Sequence, residues 1–159
     1  MKFSTKEDIE IPVEDLFEIL SDFDGFERVA MRRGAEVIRA TGTQPVSEGQ
    51  VWHFQARFRG RLRVFDVTLA TLEQSERFIY EAVSDAVKAR FVMELVSLSR
   101  KRTRLRVELD VRPKTLPARI VMQSAKLARS TLNRRYKTRI AHFASDLEDR
   151  FKRGLLKLG

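Results

Sequence analysis

The sequence contains no cysteine, two histidines, one tryptophan, four prolines and seven glycines. Without cysteine there are no disulfides, thiolate zinc sites, iron–sulfur clusters or thiol nucleophiles. With only His53 and His142, a histidine metal site would need carboxylates to complete it, and neither metal nor cofactor is expected. No apolar run approaches the roughly 20 residues that span a bilayer. The opening MKFSTKEDIEI places acids where a signal peptide has its apolar stretch. The expectation is a soluble cytoplasmic protein. G-x-x-x-x-G-K, G-x-G-x-x-G and G-x-S-x-G are all missing, which removes the usual phosphate cradles and the nucleophile elbow.

Charge and alternation are abundant. The 159 residues suit one domain, 1–159, and a chain of that length buries roughly 68–70% of its unfolded surface without a covalent staple. Net charge is +9, and the excess is local. Ser97 to Arg139 holds fourteen Lys/Arg against Glu108 and Asp110, a net +12, so the remainder sums to −3. Such a field attracts polyanions or acidic membranes; it equally serves as a solvated face that keeps a protein soluble.

Residues 3–11 read as a strand ended by Pro12. Val13 to Phe23 has helical spacing, Asp24-Gly25 reads as its break, and Phe26 to Arg33 as a second short helix. Strand signals follow over Ala35 to Thr41, then a turn at Gln44-Pro45 and Glu48-Gly49. From Val51 the alternation is strict, with Trp52, Phe54, Ala56 and Phe58 on one side and His53, Gln55, Arg57 and Arg59 on the other. Arg59-Gly60-Arg61 reads as a hairpin turn. Leu62–Leu72, Phe78–Val83, Val87–Leu95 and Leu105–Val111 continue the pattern, with polar turns at Glu73–Glu76 and Ser99–Thr103. Period two over so many segments predicts an antiparallel sheet with one dry and one wet face. Pro113 and Pro117 end it, Pro117 at a helix start. Ala128, Leu132, Tyr136, Ile140, Phe143, Leu147 and Phe151 then keep one helical stripe, which Ile120, Val121, Ala125 and Leu127 extend. A break near Ser130-Thr131 is allowed for, and Lys152 to Gly159 are expected to fray.

Strand, two short helices, six antiparallel strands and a long final helix form a distinctive order. Three local phrases accompany it: Ile9-Glu10-Ile11-Pro12-Val13-Glu14-Asp15-Leu16-Phe17, Arg59-Gly60-Arg61 and Leu69-Ala70-Thr71-Leu72-Glu73. Together they resemble the START and birch-pollen-allergen superfamily (SRPBCC), nearest its polyketide cyclase/dehydrase and lipid-transport-type branch. The resemblance implies an α+β helix-grip fold, in which a curved antiparallel sheet of about seven strands wraps a long C-terminal helix. It also implies a gap between sheet and helix that holds an apolar small molecule. None of the three phrases is a catalytic signature, so function has to be argued from a site.

The dry face and the helix stripe supply the material for such a gap. The expected ligand-binding set is Trp52, Phe54, Phe58, Phe78, Tyr80, Phe91, Met93 and Leu109 from the sheet and Tyr136 from the helix, with Phe143 close to it. The same side chains could fill a solid core, which pattern alone does not separate from a hollow one. No catalytic residue is assigned. His53 sits on the face opposite Trp52, and His142 lies off the helix stripe. Asp66 is either a buried carboxylate with a raised pKa or a solvent-facing acid. Arg57, Arg59, Arg61 and Arg63, with Arg100, Lys101 and Arg102, either protect strand edges or recognise an anionic head group.

Three functions compete. The preferred one is binding of a lipid-like or polyketide-like hydrophobic or amphiphilic molecule. The second is an aromatase/cyclase-like enzyme, which requires Asp66, Tyr80 and Arg or His side chains clustered inward. The third is association of segment 97–139 with an anionic membrane or nucleic acid. Specific nucleic-acid readout is not expected, because the aromatics it would use are committed to the interior. Oligomeric state is left open.

Overall fold

The computed structural model describes residues 1–40 and 45–158, with Phe58 described by its backbone alone. The Thr41 end of the second expected strand and Gln44 of the following turn lie outside the described residues. Seven strands form one antiparallel sheet: β1 (Lys2–Ile9), β2 (Glu36–Arg39), β3 (Val51–Phe58), β4 (Arg61–Glu73), β5 (Arg77–Val83), β6 (Val87–Ser99) and β7 (Arg102–Pro113). Their order is β1-β7-β6-β5-β4-β3-β2, so β2 to β7 form a meander and β1 closes onto β7. Two short helices, α1 (Val13–Leu20) and α2 (Phe23–Arg32), follow β1, and α3 (Leu116–Leu127) and α4 (Arg129–Lys152) follow β7. This is the α+β helix-grip arrangement with seven strands.

The turns have identifiable causes. Arg59 and Gly60 both take positive φ, 52° and 75°. That is the two-residue geometry whose twist matches the flanking strands. It sets the register Phe58↔Arg61, Ala56↔Arg63 and Phe54↔Phe65. The ladder of β4 on β5 slips between Leu69 and Thr71, a bulge that bends the strand and helps the sheet curve.

Four boundaries differ from the sequence expectations. The first helix ends at Leu20 rather than Phe23, because the Asp22 carboxylate accepts the Gly25 N–H at 3.1 Å and so starts α2. Asp24-Gly25 therefore lies inside a helix. Gly25 is needed there for space: a Cβ would stand 2.7 Å from the Leu158 carbonyl oxygen. The charged turn after β6 is only Arg100-Lys101, since strand pairing runs on to Ser99↔Arg102. The long helix breaks at Ala128 (φ −102°, ψ 19°) rather than near Ser130. The tail is anchored at Leu158. Leu158 is buried, and its N–H donates to the second oxygen of Asp22 at 2.8 Å.

The core occupies one end of the concave face. Ile9, Leu16, Ile19, Leu20, Phe78, Leu105 and Leu147 are fully buried there, joined by Met93, Leu95 and Val107. Burying one such side chain is worth about 1.5–3 kcal/mol. α1 supplies three of these residues, and the second half of α4 supplies Leu147 and Ala144.

Candidate functional site

Side chains on paired strands line up in rows across the sheet, and two concave rows decide what this face can hold. One runs Phe3–Leu109–Phe91–Tyr80–Leu69. The next runs Val111–Ala89–Ala82–Val67–Trp52. The first is large and aromatic, whereas the second has two alanines at its centre. Leu69 and Trp52 are buried, but Phe91, Tyr80, Leu109, Ala82 and Ala89 are only half-buried. The small side chains of Ala82 and Ala89 thus form a low row beside a row of large ones, and both rows run toward Phe54 and Phe65, which stack at 5.2 Å. By the alternation of β4, Arg63 and Arg61 continue the Phe65 face, and both are exposed.

The expected ligand-binding set divides between two places. Phe78 and Met93 belong to the solid core, with the ring of Phe17 of α1 tilted against Phe78 at 4.9 Å. Trp52 is buried against Phe23, at 5.9 Å, and its indole N–H donates to Glu27 at 2.8 Å. Glu27 also accepts from Arg39 at 2.6 Å, and its carboxylate holds the Arg39 guanidinium above its ordinary pKa. Trp52 is thus held as a structural anchor. Phe54, Tyr80, Phe91, Leu109 and Tyr136 are half-buried and border that core. The Phe58 side chain lies outside the described residues.

Two tyrosines bring polar atoms to this face. The Tyr136 ring packs tilted against Phe3, 5.5 Å between centroids, and its hydroxyl donates to the Val107 carbonyl at 2.7 Å. Burial, with Glu108 nearby, pushes its pKa up to about 12. Tyr80 lies among Trp52, Phe78 and Phe91, and burial alone raises its pKa far above the phenol range. It is a neutral phenol whose hydroxyl has no hydrogen-bond partner among the described residues. It is the one such group on the aromatic wall, and a pocket for an apolar ligand needs only a few polar groups of this kind.

The inward acid–base cluster does not form. Asp66 and His53 pair across β3 and β4 on the convex face, Nδ1 to Oδ1 2.5 Å apart, both exposed. They lie on the other side of the sheet from Tyr80, so Asp66 is the solvent-facing acid. His142 is exposed on α4. Among the described residues no group of three His, Asp or Glu is placed to hold a metal ion.

The basic segment 97–139 also divides. Its strand cations are neutralised: Arg104 grips Asp8 at 2.8 Å, Arg102 lies 3.3 Å from Glu10, and Arg112 lies 3.2 Å from Asp110. Arg104 holds the Asp8 carboxyl below its usual range. By contrast Arg119, Lys126, Arg129, Arg134, Arg135, Lys137 and Arg139, all on α3 and α4, are exposed and make no ion pair among the described residues.

Two clefts lie elsewhere. One, of ≈ 380 Å³, is on the convex face between Arg77, Arg90, Glu94 and Glu108. Several of its charges pair within the sheet, as in Lys2–Glu108 at 2.9 Å and Arg77–Glu94 at 3.3 Å. The other, of ≈ 370 Å³, lies between Phe17, Phe23, Arg39, Val46 and Leu72, where Arg39 is bound to Asp24 and Glu27.

Phe65, Ala82 and Ala89 also lie on this face and are absent from the expected set. The signal for Phe65 was available: counting outward from a two-residue Arg59-Gly60 turn places it opposite Phe54.

No family model and no curated protein matches the sequence. Solved structures do resemble the fold. The ZhuI aromatase/cyclase of Streptomyces sp. R1128 superposes with a TM-score of 0.64 at 16% identity, covering 95% of each chain. A START superfamily protein of Mycobacterium smegmatis gives 0.61 at 18% identity, covering 96% of this chain and 97% of the other. The protein Ara h 8.0201 gives 0.56 at 15%, covering 82% and 90%. The chain has the helix-grip fold of the START and birch-pollen-allergen superfamily. These identities carry the fold alone.

Proposed function

We infer that the chain binds an apolar or amphiphilic small molecule on the concave face, in a trough between the alanine row and the aromatic row. The observation that carries this reading is the mismatch between the two rows. Large half-buried side chains at Phe91, Tyr80 and Leu109 stand beside Ala82 and Ala89, and no residue of α3 is buried to fill the difference. Apolar surface left in this state gains about 25 cal/mol per Å² when a ligand removes it from water. The Tyr80 hydroxyl supplies a neutral donor at the wall. Arg61 and Arg63, exposed on the face continuing from Phe65, would meet an anionic end, where guanidinium groups favour carboxylate or phosphate. The preferred guest is therefore an amphiphile with an oily body and an acidic head. The likeness to an aromatase/cyclase brings no reaction with it, because the acid and the histidine that proton transfer would use face away.

Titration with cis-parinaric acid tests the reading. Saturable one-to-one uptake is expected, and it should vanish in the Ala82→Trp/Ala89→Trp variant with the thermal midpoint unchanged. An absence of saturation, or uptake that the filled trough leaves intact, would overturn it.

A further inference from the structure

A helix lying on a sheet ordinarily turns its larger apolar side chains inward. α3 does the reverse. Its half-buried residues are Ala118, Met122 and Ala125, two of them with a single side-chain carbon. Leu116, Ile120 and Leu127 fall within an arc of about 40° on the opposite side, at 100° per residue, and are 69%, 57% and 92% exposed. Arg119 and Lys126 flank this ridge on one side, and both are exposed. Beyond the break at Ala128, α4 continues with five more exposed cations, and no acid occurs between Asp110 and Asp146.

We propose that α3 and the cationic start of α4 dock on the surface of an anionic phospholipid bilayer. An apolar ridge flanked by unpaired Lys and Arg is the composition of a helix that lies in the interfacial plane, its aliphatic side chains among the acyl chains and its cations at the head groups. Each element of the patch has a use there. A second copy of the chain would bring seven unpaired cations against seven of the same sign. Nucleic acid would satisfy the cations but gains nothing from Leu116, Ile120 and Leu127, and the ridge has no aromatic ring on which a base could stack. The strand cations that would lengthen a nucleic-acid track are already bound to Asp8, Glu10 and Asp110. The proposal is independent of the ligand reading, since the ridge faces away from the trough.

Co-sedimentation of the full chain with vesicles provides the test, using phosphatidylcholine alone and phosphatidylcholine with a third phosphatidylglycerol, each at low and high salt. Binding is expected to the anionic vesicles only, to weaken as salt rises, and to fall about fivefold for each of Arg119→Ala and Lys126→Ala. Ile120→Glu/Leu127→Glu should abolish it while leaving the thermal midpoint unchanged. Equal binding to neutral vesicles would overturn the proposal, as would vesicle binding indifferent to the ridge. A lowered midpoint in the double variant would mean that the ridge packs within the protein. Dimerisation lost in that variant, or duplex DNA bound tightly and indifferently to it, would assign the surface to a second copy or to nucleic acid instead. Parinaric acid uptake is read separately, so failure of either idea leaves the other standing.

Discussion

The two ends of the concave face are built from the same strands yet do opposite things. At one end Phe78, Met93, Leu95 and Leu105 meet Leu16, Ile19 and Leu147, and the space is solid. At the other, Phe91, Tyr80 and Leu109 meet alanines and stay half-covered. The C-terminal arm shows the same division. The later turns of α4 drive Ala144 and Leu147 into the core, whereas α3 has no fully buried residue and turns Leu116, Ile120 and Leu127 outward. Burial is concentrated at one end, and the proposed guest would occupy the other.

Substitution can break that contrast. Phe78→Ala should cost about 3–5 kcal/mol in urea unfolding, since it leaves a cavity in a filled region. Phe91→Ala should cost no more than about 1–2 kcal/mol, because its side chain is only partly removed from water. Equal losses would mean that the two ends are equally packed.

Alkaline titration sharpens the comparison through the only two tyrosines. Both hold their protons above the ordinary value of 10.0 in the folded chain, Tyr136 to about 12. The unfolded chain releases them from about pH 10, so above that point it binds fewer protons and stability falls as pH rises. Below pH 10 these groups leave stability unchanged. Tyrosinate absorbance should rise together with loss of circular dichroism above pH 10; a full rise at pH 10 with the fold intact would contradict the burial.

Smaller effects come from the rim and the cap. Asp22→Ala should cost about 1 kcal/mol, up to about 2, because it removes the cap of α2 and the partner of Leu158 together; chemical denaturation reads this. Arg61→Ala/Arg63→Ala should weaken parinaric acid by about fivefold, or about 1 kcal/mol, and leave its neutral alcohol analogue unaffected. Asp66→Asn should shift stability by less than about 0.5 kcal/mol and leave uptake unchanged. A large loss of uptake there would return the acid to the site.

Strand phase was legible because alternation is a local property: Trp52, Phe54, Tyr80 and Phe91 all fall on the concave face that their spacing indicates. Helix ends were less so. The run through Phe23 looks continuous until the Asp22 carboxylate begins a new helix, and Ala128 carries no breaking signal at all. Whether Phe78 fills a core while Phe91 borders a trough depends on what lies opposite each. For Phe78 it is fixed by Phe17, one helix and three strands away in the chain. A helical stripe likewise does not reveal which way it faces, so Ile120 and Leu127 read as interior residues although they point outward.

The closure of β1 onto β7 has a consequence for assembly. Lys2 finds its neighbour in Asp110, and α2 is sealed by Leu158. Pairings so distant along the chain are slow to form, because the intervening loop must close before any contact repays it. A nascent polypeptide emerging from the ribosome therefore carries its first strand unpaired until the seventh has been made, and molecular chaperones have their longest opportunity to act on that waiting edge.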